Sequence, residues 1–259
     1  MLDITPISSF TDNYIWRIRE PNGRIAAIVD PGEAAPVFRA LDQEEITPVA
    51  ILLTHHHGDH VDGVGEIKAR YPDISVFGPA RERIRGVTHR TEEGEIIDLP
   101  GARLSFRVLE VPGHTRGHVA YYGHGALFCG DTLFSVGCGR LFEGTPMDMH
   151  GSLRRIAALP GETRLYCAHE YTLDNIGFAK EVEPKNPDLA RREQDAFARI
   201  DRNLPTVPST LAEELAVNPF LRCHAPEVIH AAEDYAGRKL ADPVEVFAAI
   251  RRWKDGWRR

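Results

Sequence analysis

Long apolar runs are missing from this chain: none approaches the roughly 20 residues that a membrane-crossing helix requires, so no membrane partner is expected. An excess of positive charge is missing as well. Lys and Arg number 31 against 38 Asp and Glu, giving a net charge of −7 at pH 7 that argues against nucleic acid as the general partner. The four cysteines, Cys129, Cys138, Cys167 and Cys223, show no paired spacing. Residues Met1-Leu2-Asp3-Ile4-Thr5-Pro6 hold no basic segment leading into an apolar stretch, so no secretory signal is read. Together these absences point to a reducing, cytoplasmic setting without disulfides. Internal repeats and low-complexity linkers are not found either. What remains is an ordinary soluble composition, 42% hydrophobic and 27% charged, in 259 residues. That length suffices for one large core, or a core with a small second domain.

The pattern along the chain changes once. Strands are expected at 13–19 and 25–30, joined by a turn at Pro21-Asn22-Gly23, and the apolar run Val49-Ala50-Ile51-Leu52-Leu53 reads as a buried strand. Helices are expected at 33–44, 61–71 and 147–159, with short strands around 75–77, 95–99, 104–111, 119–122, 126–129 and 164–167. Beyond Tyr171 only helical patterns recur, at about 172–183, 187–202, 209–216, 226–236 and 242–255, punctuated by prolines. The expectation is a layered α/β domain over residues 1–171 and a small all-α domain over 172–259.

One stretch carries more chemistry than any other. Residues 55–60 read His-His-His-Gly-Asp-His, and Thr54-His55-x-His57-x-Asp59-His60 is a ligand spacing. It lies just past a strand end, where Gly58 frees the backbone to turn. Alternate residues His55, His57 and Asp59 can point one way while His60 turns another, so one loop can serve two adjacent cations. A surface histidine tract reads differently, because such tracts lie at termini or in polar low-complexity sequence.

Three further loops repeat this design of a polar side chain just beyond an apolar strand. They are Val111-Pro112-Gly113-His114-Thr115, Leu127-Phe128-Cys129-Gly130-Asp131 and Leu165-Tyr166-Cys167-Ala168-His169. Any one alone is weak; the shared placement makes the set. Five imidazoles and two carboxylates exceed the needs of one four-coordinate zinc and suit a pair of cations sharing a carboxylate. Nitrogen and oxygen donors without thiolate fit Zn²⁺, Fe or Mn. Two divalent ions, two carboxylates and a hydroxide leave a centre of roughly +1, which favours a transition state gaining negative charge on oxygen. His56 is expected to point away from its neighbours, and His118 to order a loop rather than bind metal. Cys129 and Cys167 are expected to be small buried side chains.

With those residues in view, the chain resembles the metallo-β-lactamase superfamily, through Thr54-His55-x-His57-x-Asp59-His60, Gly113-His114-Thr115, Gly130-Asp131 and His169. More narrowly it resembles the glyoxalase II (hydroxyacylglutathione hydrolase) family. That likeness runs nearly end to end, through Thr11-Asp12-Asn13-Tyr14, Cys138-Gly139-Arg140-Leu141-Phe142-Glu143-Gly144, His169-Glu170-Tyr171-Thr172, Asn218-Pro219-Phe220-Leu221-Arg222 and Arg251-Arg252-x-Lys254-Asp255. The resemblance implies a four-layer αββα sandwich followed by a helical substrate-binding domain. It implies two divalent ions, zinc foremost, one held by His55, His57 and His114 and the other by Asp59, His60 and His169, with Asp131 bridging. Asp59 and Asp131 are then also the catalytic carboxylates, and Arg140, Tyr171, Arg251 and Lys254 the substrate contacts. Some members carry Tyr where this chain has Phe142. The implied reaction is hydrolysis of S-(2-hydroxyacyl)glutathione, such as S-D-lactoylglutathione, to glutathione and a 2-hydroxy acid, the second step of methylglyoxal detoxification. A monomer acting on a small-molecule thioester is the corresponding expectation. A mono-iron glutathione persulfide dioxygenase shares the first motif, but such enzymes typically lack this long helical C-terminal segment and its basic pair.

The basic tail suits the implied substrate. Residues 251–259 total +4, which leaves −11 for the rest of the chain. An acidic protein that holds a carboxylate-bearing ligand requires such a local patch.

Overall fold

The continuous apolar runs at Ile25–Val29 and ahead of Leu53 become strands buried on both faces, the condition of parallel strands covered on two sides. The computed structural model describes residues 2–258. They form two units: residues up to Glu110 together with Arg116–Gly130, and Val111–Thr115 together with Asp131 onward.

In the first unit a six-stranded sheet runs in chain order: β1 (Asp3–Ser9), β2 (Asn13–Arg19), β3 (Ile25–Val29), β4 (Thr47–Leu52), β5 (Ser75–Pro79) and β6 (His89–Thr91). The first three strands pair antiparallel, and β3 to β6 pair in parallel. Parallel neighbours require crossovers. Helix α1 (Ala34–Glu44) provides one, and a second runs through the short α2 (Gly58–Val61) and α3 (Val64–Arg70). Val37 and Leu41 of α1, with Val64 and Ile67 of α3, share one core cluster with Ile28 and Ile51 of the sheet. Because β3 and β4 run the same way, their carboxyl ends lie on one sheet edge, where α/β folds collect functional loops. Asp30 follows β3 and Thr54 to His60 follow β4, and the Asp30 amide donates to Leu52 O (3.0 Å).

Strands β7 (Ile96–Asp98), β8 (Ser105–Glu110), β9 (Val119–Gly123) and β10 (Ala126–Gly130) form an antiparallel run in the same unit. Phe106 and Phe128 meet edge to face at 5.8 Å. The buried Tyr121 hydroxyl of β9 donates to Leu53 O at 2.8 Å, tying this run to the residue that precedes the histidine loop.

The second unit holds the hairpin β11 (Leu133–Phe134) and β12 (Gly137–Cys138), α4 (Pro146–Ala157), and the pair β13 (Arg164–Cys167) and β14 (Ser209–Thr210). Helices α5 (Thr172–Val182), α6 (Pro187–Ile200), α7 (Leu211–Val217), α8 (Pro226–Ala236) and α9 (Pro243–Gly256) lie within two residues of the expected spans. Pro187, Pro226 and Pro243 occupy first helical turns, where a missing N–H costs nothing. In the helical core Phe178 stacks on Phe220 at 6.1 Å, and Phe220 meets Phe247 edge to face at 5.7 Å.

Two differences from the sequence reading have physical reasons. Strand β1 was not expected, since Pro6 interrupts it. Proline is tolerated because β1 is the sheet edge, paired on one side only. The expected helix over 61–71 divides near Gly63, where a Cβ would come within 2.6 Å of Pro31 O and 2.7 Å of Glu33 C.

Tyr121→Phe removes one buried hydrogen bond and leaves Leu53 O without that donor. A stability loss of about 1 kcal/mol is expected from urea denaturation.

Candidate metal centre

In the first unit the histidine loop is oriented by hydrogen bonds from groups that do not themselves face the donors. Asp30 sits at the end of β3 and takes the Thr54 amide (2.8 Å) and the Thr54 hydroxyl (2.7 Å). The Asp30 Oδ2 also lies 3.0 Å from His60 Nδ1, which directs His60 Nε2 the other way. Thr54 Oγ1 lies 3.1 Å from His55 Nδ1 and does the same for that ring. Such partners fix ring orientation and tautomer in metal-binding imidazoles. Donor atoms then fall in pairs. His55 Nε2 and His57 Nδ1 are 3.1 Å apart, and His60 Nε2 and Asp59 Oδ2 are 3.5 Å apart. Asn13 Nδ2 donates to Asp59 Oδ2 (3.0 Å) and steadies the carboxylate.

His118 packs beside the histidine loop. It is buried and stacks on His55 with ring centres 4.6 Å apart. Gly130 makes that stack possible: its φ is +47°, and a Cβ there would strike Thr54 Oγ1 and approach His118 Nε2 to 2.8 Å. His56 turns to Glu82 instead, 3.0 Å from Oε2.

The second unit holds the other donors. Asp131 lies at the centre: its Oδ2 is 3.4 Å from His114 Nε2, and its Oδ1 is 3.3 Å from His169 Nε2. Each carboxylate oxygen therefore faces a different imidazole. His114 Nδ1 donates to Arg140 O (2.9 Å), so its Nε2 carries the lone pair. All three side chains are buried. Gly139 closes over them, since a Cβ on it would overlap Asp131 O and lie 3.1 Å from His114 Nδ1.

These spacings fit a cation. Ligand atoms about 2.0–2.2 Å from a four-coordinate ion stand roughly 3.3–3.5 Å from one another. The four pairs, at 3.1, 3.5, 3.4 and 3.3 Å, match the edges of such polyhedra. Imidazole and carboxylate donors without thiolate suit divalent ions. Cys129 and Cys167 are buried, and burial pushes the Cys167 thiol up to about 12, far from a ligating thiolate at neutral pH.

Beside Asp131 in the second unit opens a pocket of about 480 Å³, lined by His114, Asp131, Arg140, Phe142, Tyr171, Arg251 and Lys254 among others. Tyr171 stacks on His169 at 4.8 Å with rings nearly parallel, and Phe142 meets the His114 ring edge to face at 5.2 Å. The three cations differ. Arg251 is buried, with Nη1 donating to Cys138 O (2.8 Å) and Nη2 to Asp255 Oδ1 (3.0 Å). Lys254 Nζ donates to Asp174 Oδ2 (2.6 Å) and lies over the Trp257 ring. Arg140, 68% exposed, has its Nε 3.9 Å from Asp255 Oδ1. Asp30 and the clamping acids Asp174 and Asp255 were not singled out from sequence. Asp30 follows an apolar strand just as Asp131 does, so the same strand-end signal marks it.

Comparison with known proteins agrees with this geometry. Residues 10–169 match the family model described as metallo-beta-lactamase superfamily, and residues 170–257 match hydroxyacylglutathione hydrolase C-terminus. The hydroxyacylglutathione hydrolase of Alkalilimnicola ehrlichii is 54% identical over 255 residues, spanning 98% of this chain and 99% of its own. The protein of that name from Nitrosomonas eutropha is 50% identical over 257 residues, 99% and 100% of the two chains. Among solved structures, ETHE1 from Myxococcus xanthus aligns over 98% of both chains with a TM-score of 0.65 at 24% identity, a likeness of fold. A protein crystallised in a di-iron-bound form aligns at 32% identity and a TM-score of 0.52, over 64% of this chain and 91% of its own.

The mixed sheets, their helices and the His/Asp donors thus define a metallo-β-lactamase fold equipped for divalent metal ions. A C-terminal helical region follows it. This chain belongs to the hydroxyacylglutathione hydrolase family.

Gly139→Ala forces the Asp131 main chain or the His114 ring to move. Elemental analysis of the purified variant is expected to show less divalent metal per chain than wild type; an equal content would show that Asp131 tolerates the shift.

Proposed function

We propose that the chain hydrolyses S-(2-hydroxyacyl)glutathione, such as S-D-lactoylglutathione, to glutathione and a 2-hydroxy acid. In this reading His55, His57 and His114 hold one divalent ion and Asp59, His60 and His169 hold a second, with Asp131 shared. Zinc suits the nitrogen-rich donor set, with Fe or Mn as alternatives. The observation that carries the reading is Asp131, whose two oxygens face His114 and His169 separately, an arrangement that suits a ligand shared between two ions. Two bound ions supply a water acidified from about 15.7 to roughly 7 and a Lewis acid for the thioester carbonyl.

The chain's own groups do the rest. Asp59, steadied by Asn13, accepts a hydrogen bond from the attacking water and aims it. Asp131 keeps the donors of the second unit in register. The pocket beside it takes the glutathione portion, with Tyr171 as one wall and Arg140, Arg251 and Lys254 as the cationic side. Asp174 and Asp255 offset two of those three charges, leaving a local excess of one for the substrate carboxylates. Phe142 presents an apolar face in place of a hydroxyl, so binding rests on the cations and the stack. Glutathione thiolate is a good leaving group, and strong acid assistance is dispensable. Residues 1–171 serve as the catalytic domain and residues 172–259 as the glutathione-binding domain in this scheme.

Asp131→Ala and His57→Ala are each expected to reduce thioester hydrolysis, followed by ultraviolet absorbance, to background. Full activity in a variant shown to be metal-depleted would contradict the scheme. A second expectation concerns pH. Burial holds the Lys254 ammonium below the ordinary lysine range, against the upward pull of Asp174. The charged form that binds a carboxylate therefore exists below that lowered value and is lost as pH climbs through it. KM is expected to rise at lower alkaline pH than an exposed lysine allows. Lys254→Arg, whose charge persists, should flatten the rise; identical KM–pH profiles would remove Lys254 from the substrate contact.

A further inference from the structure

Between Asp131 and Arg140 the chain makes the β11–β12 hairpin, and its main chain is held by side chains that the reaction does not use. At the centre is Glu214 of α7, wholly buried. Its Oε1 accepts from Ser135 Oγ (2.9 Å) and Ser209 Oγ (2.7 Å), and its Oε2 from the Val136 amide (2.7 Å) and Asn218 Nδ2 (3.1 Å). Asn218 Nδ2 also reaches Phe134 O (3.2 Å) and Gly137 O (3.0 Å), and Asn175 Nδ2 donates to Ser135 O (3.0 Å). Every main-chain polar group named here belongs to the turn of the hairpin, and every partner comes from a helix or its flank.

That turn cannot be held by its own conformation. Val136 lies at φ +57°, the left-handed region that a β-branched residue rarely adopts. The Glu214 carboxylate grips the amide of that strained residue. Strain of this kind persists only where the surroundings over-determine it.

The charge itself calls for a reason. A buried carboxylate is costly, and well-packed apolar residues of similar volume often serve stability as well or better. Burial pushes the Glu214 carboxyl up on balance, while Ser209, the Val136 amide, Arg192 and Ser135 draw it back. Arg192 Nη2 donates to the same Ser135 hydroxyl (3.0 Å) and to Thr206 O (2.9 Å), so opposite charge is built in beside it. Four donors converging on two oxygens specify one hairpin geometry, which an apolar contact does not.

We propose that Glu214 is a positioning residue: through Ser135, Val136 and Asn218 it fixes the hairpin whose two ends carry Asp131 and Arg140. The inference rests on the reading above that Asp131 binds metal and Arg140 contacts substrate. Misplacement by about 1 Å through a remote change is enough to cost a reaction up to a hundredfold.

The experiment compares Glu214→Ala, Glu214→Gln, Ser135→Ala and Thr210→Ala. Bound zinc per chain, kcat and KM for S-D-lactoylglutathione, and Tm are measured for each. Thr210→Ala removes the N-cap of the same helix and touches no part of the hairpin. Glu214→Ala, folded by circular dichroism, is expected to raise KM about tenfold and to bind less zinc than wild type. Glu214→Gln keeps the shape and most of the bonds and should recover most of both. Thr210→Ala should lower Tm while leaving KM and zinc content unchanged. Wild-type KM and zinc in Glu214→Ala, or an equal rise of KM in Thr210→Ala, overturns the proposal. If Glu214→Ala does not fold, Ser135→Ala decides: a raised KM supports the role and an unchanged KM refutes it. Zinc content is read without substrate, so failure of the wild-type chain to cleave the thioester counts against the proposed reaction and not against the positioning role.

Discussion

Two imidazoles lean on one carboxylate, and the chemistry of this chain depends on that arrangement. Asp131 presents Oδ2 to His114 and Oδ1 to His169 within 3.5 Å. In the proposed site that division lets each oxygen serve a separate ion. The group is buried, so in the absence of positive charge its own charge is expensive. In the proposed site divalent ions would offset that cost, which couples the site to metal binding by electrostatics.

Each imidazole is aimed by a partner at the nitrogen opposite the one that faces the neighbouring donor. His114 gives Nδ1–H to Arg140 O, and a carbonyl can only accept, so the tautomer follows from the partner. His60 and Asp30 form the charged version of the same device. His55 and Thr54 form the neutral one, and the Thr54 hydroxyl is itself committed to Asp30. Asp30 thus sets two rings at once from the end of the neighbouring parallel strand. This is how a sheet edge becomes a rigid mounting: β3 and β4 end together, and Asp30 from one orients donors from the other.

Which parts of this were legible in the sequence follows from range. The strand-end pattern pointed to the seven candidate donors, since each lies in a loop that follows an apolar run, a signal local in the chain. The helices after Tyr171 were legible for the same reason, with prolines marking three first turns. Strand β1 was hidden because Pro6 is a poor strand residue everywhere except at an edge, and edges are decided by tertiary pairing. Strands β11, β12 and β14, each two residues long, carry no periodicity to read. Glu214 and Asp174 were passed over because the partners that give them a role, Ser135 and Lys254, lie 79 and 80 residues away. Charge at such a distance leaves no spacing.

The basic tail shows how far sequence charge and functional charge can part. Counting residues gives a +4 segment on an acidic chain, yet the pocket receives much less. Arg251 is buried and spends one Nη on the Cys138 carbonyl and the other on Asp255; Lys254 faces Asp174. The first of these bonds ties α9 to the strand that leads into Arg140, so part of the tail's charge organises main chain. What is left for a ligand is directional: a guanidinium fixed on both sides, an ammonium held over Trp257, and the exposed Arg140, which can move. Fixed cations lose little freedom on binding, whereas a side chain as exposed as Arg140 loses more. In the proposed scheme the α9 side of the pocket therefore sets the orientation of the thioester, and Arg140 adds attraction more than alignment.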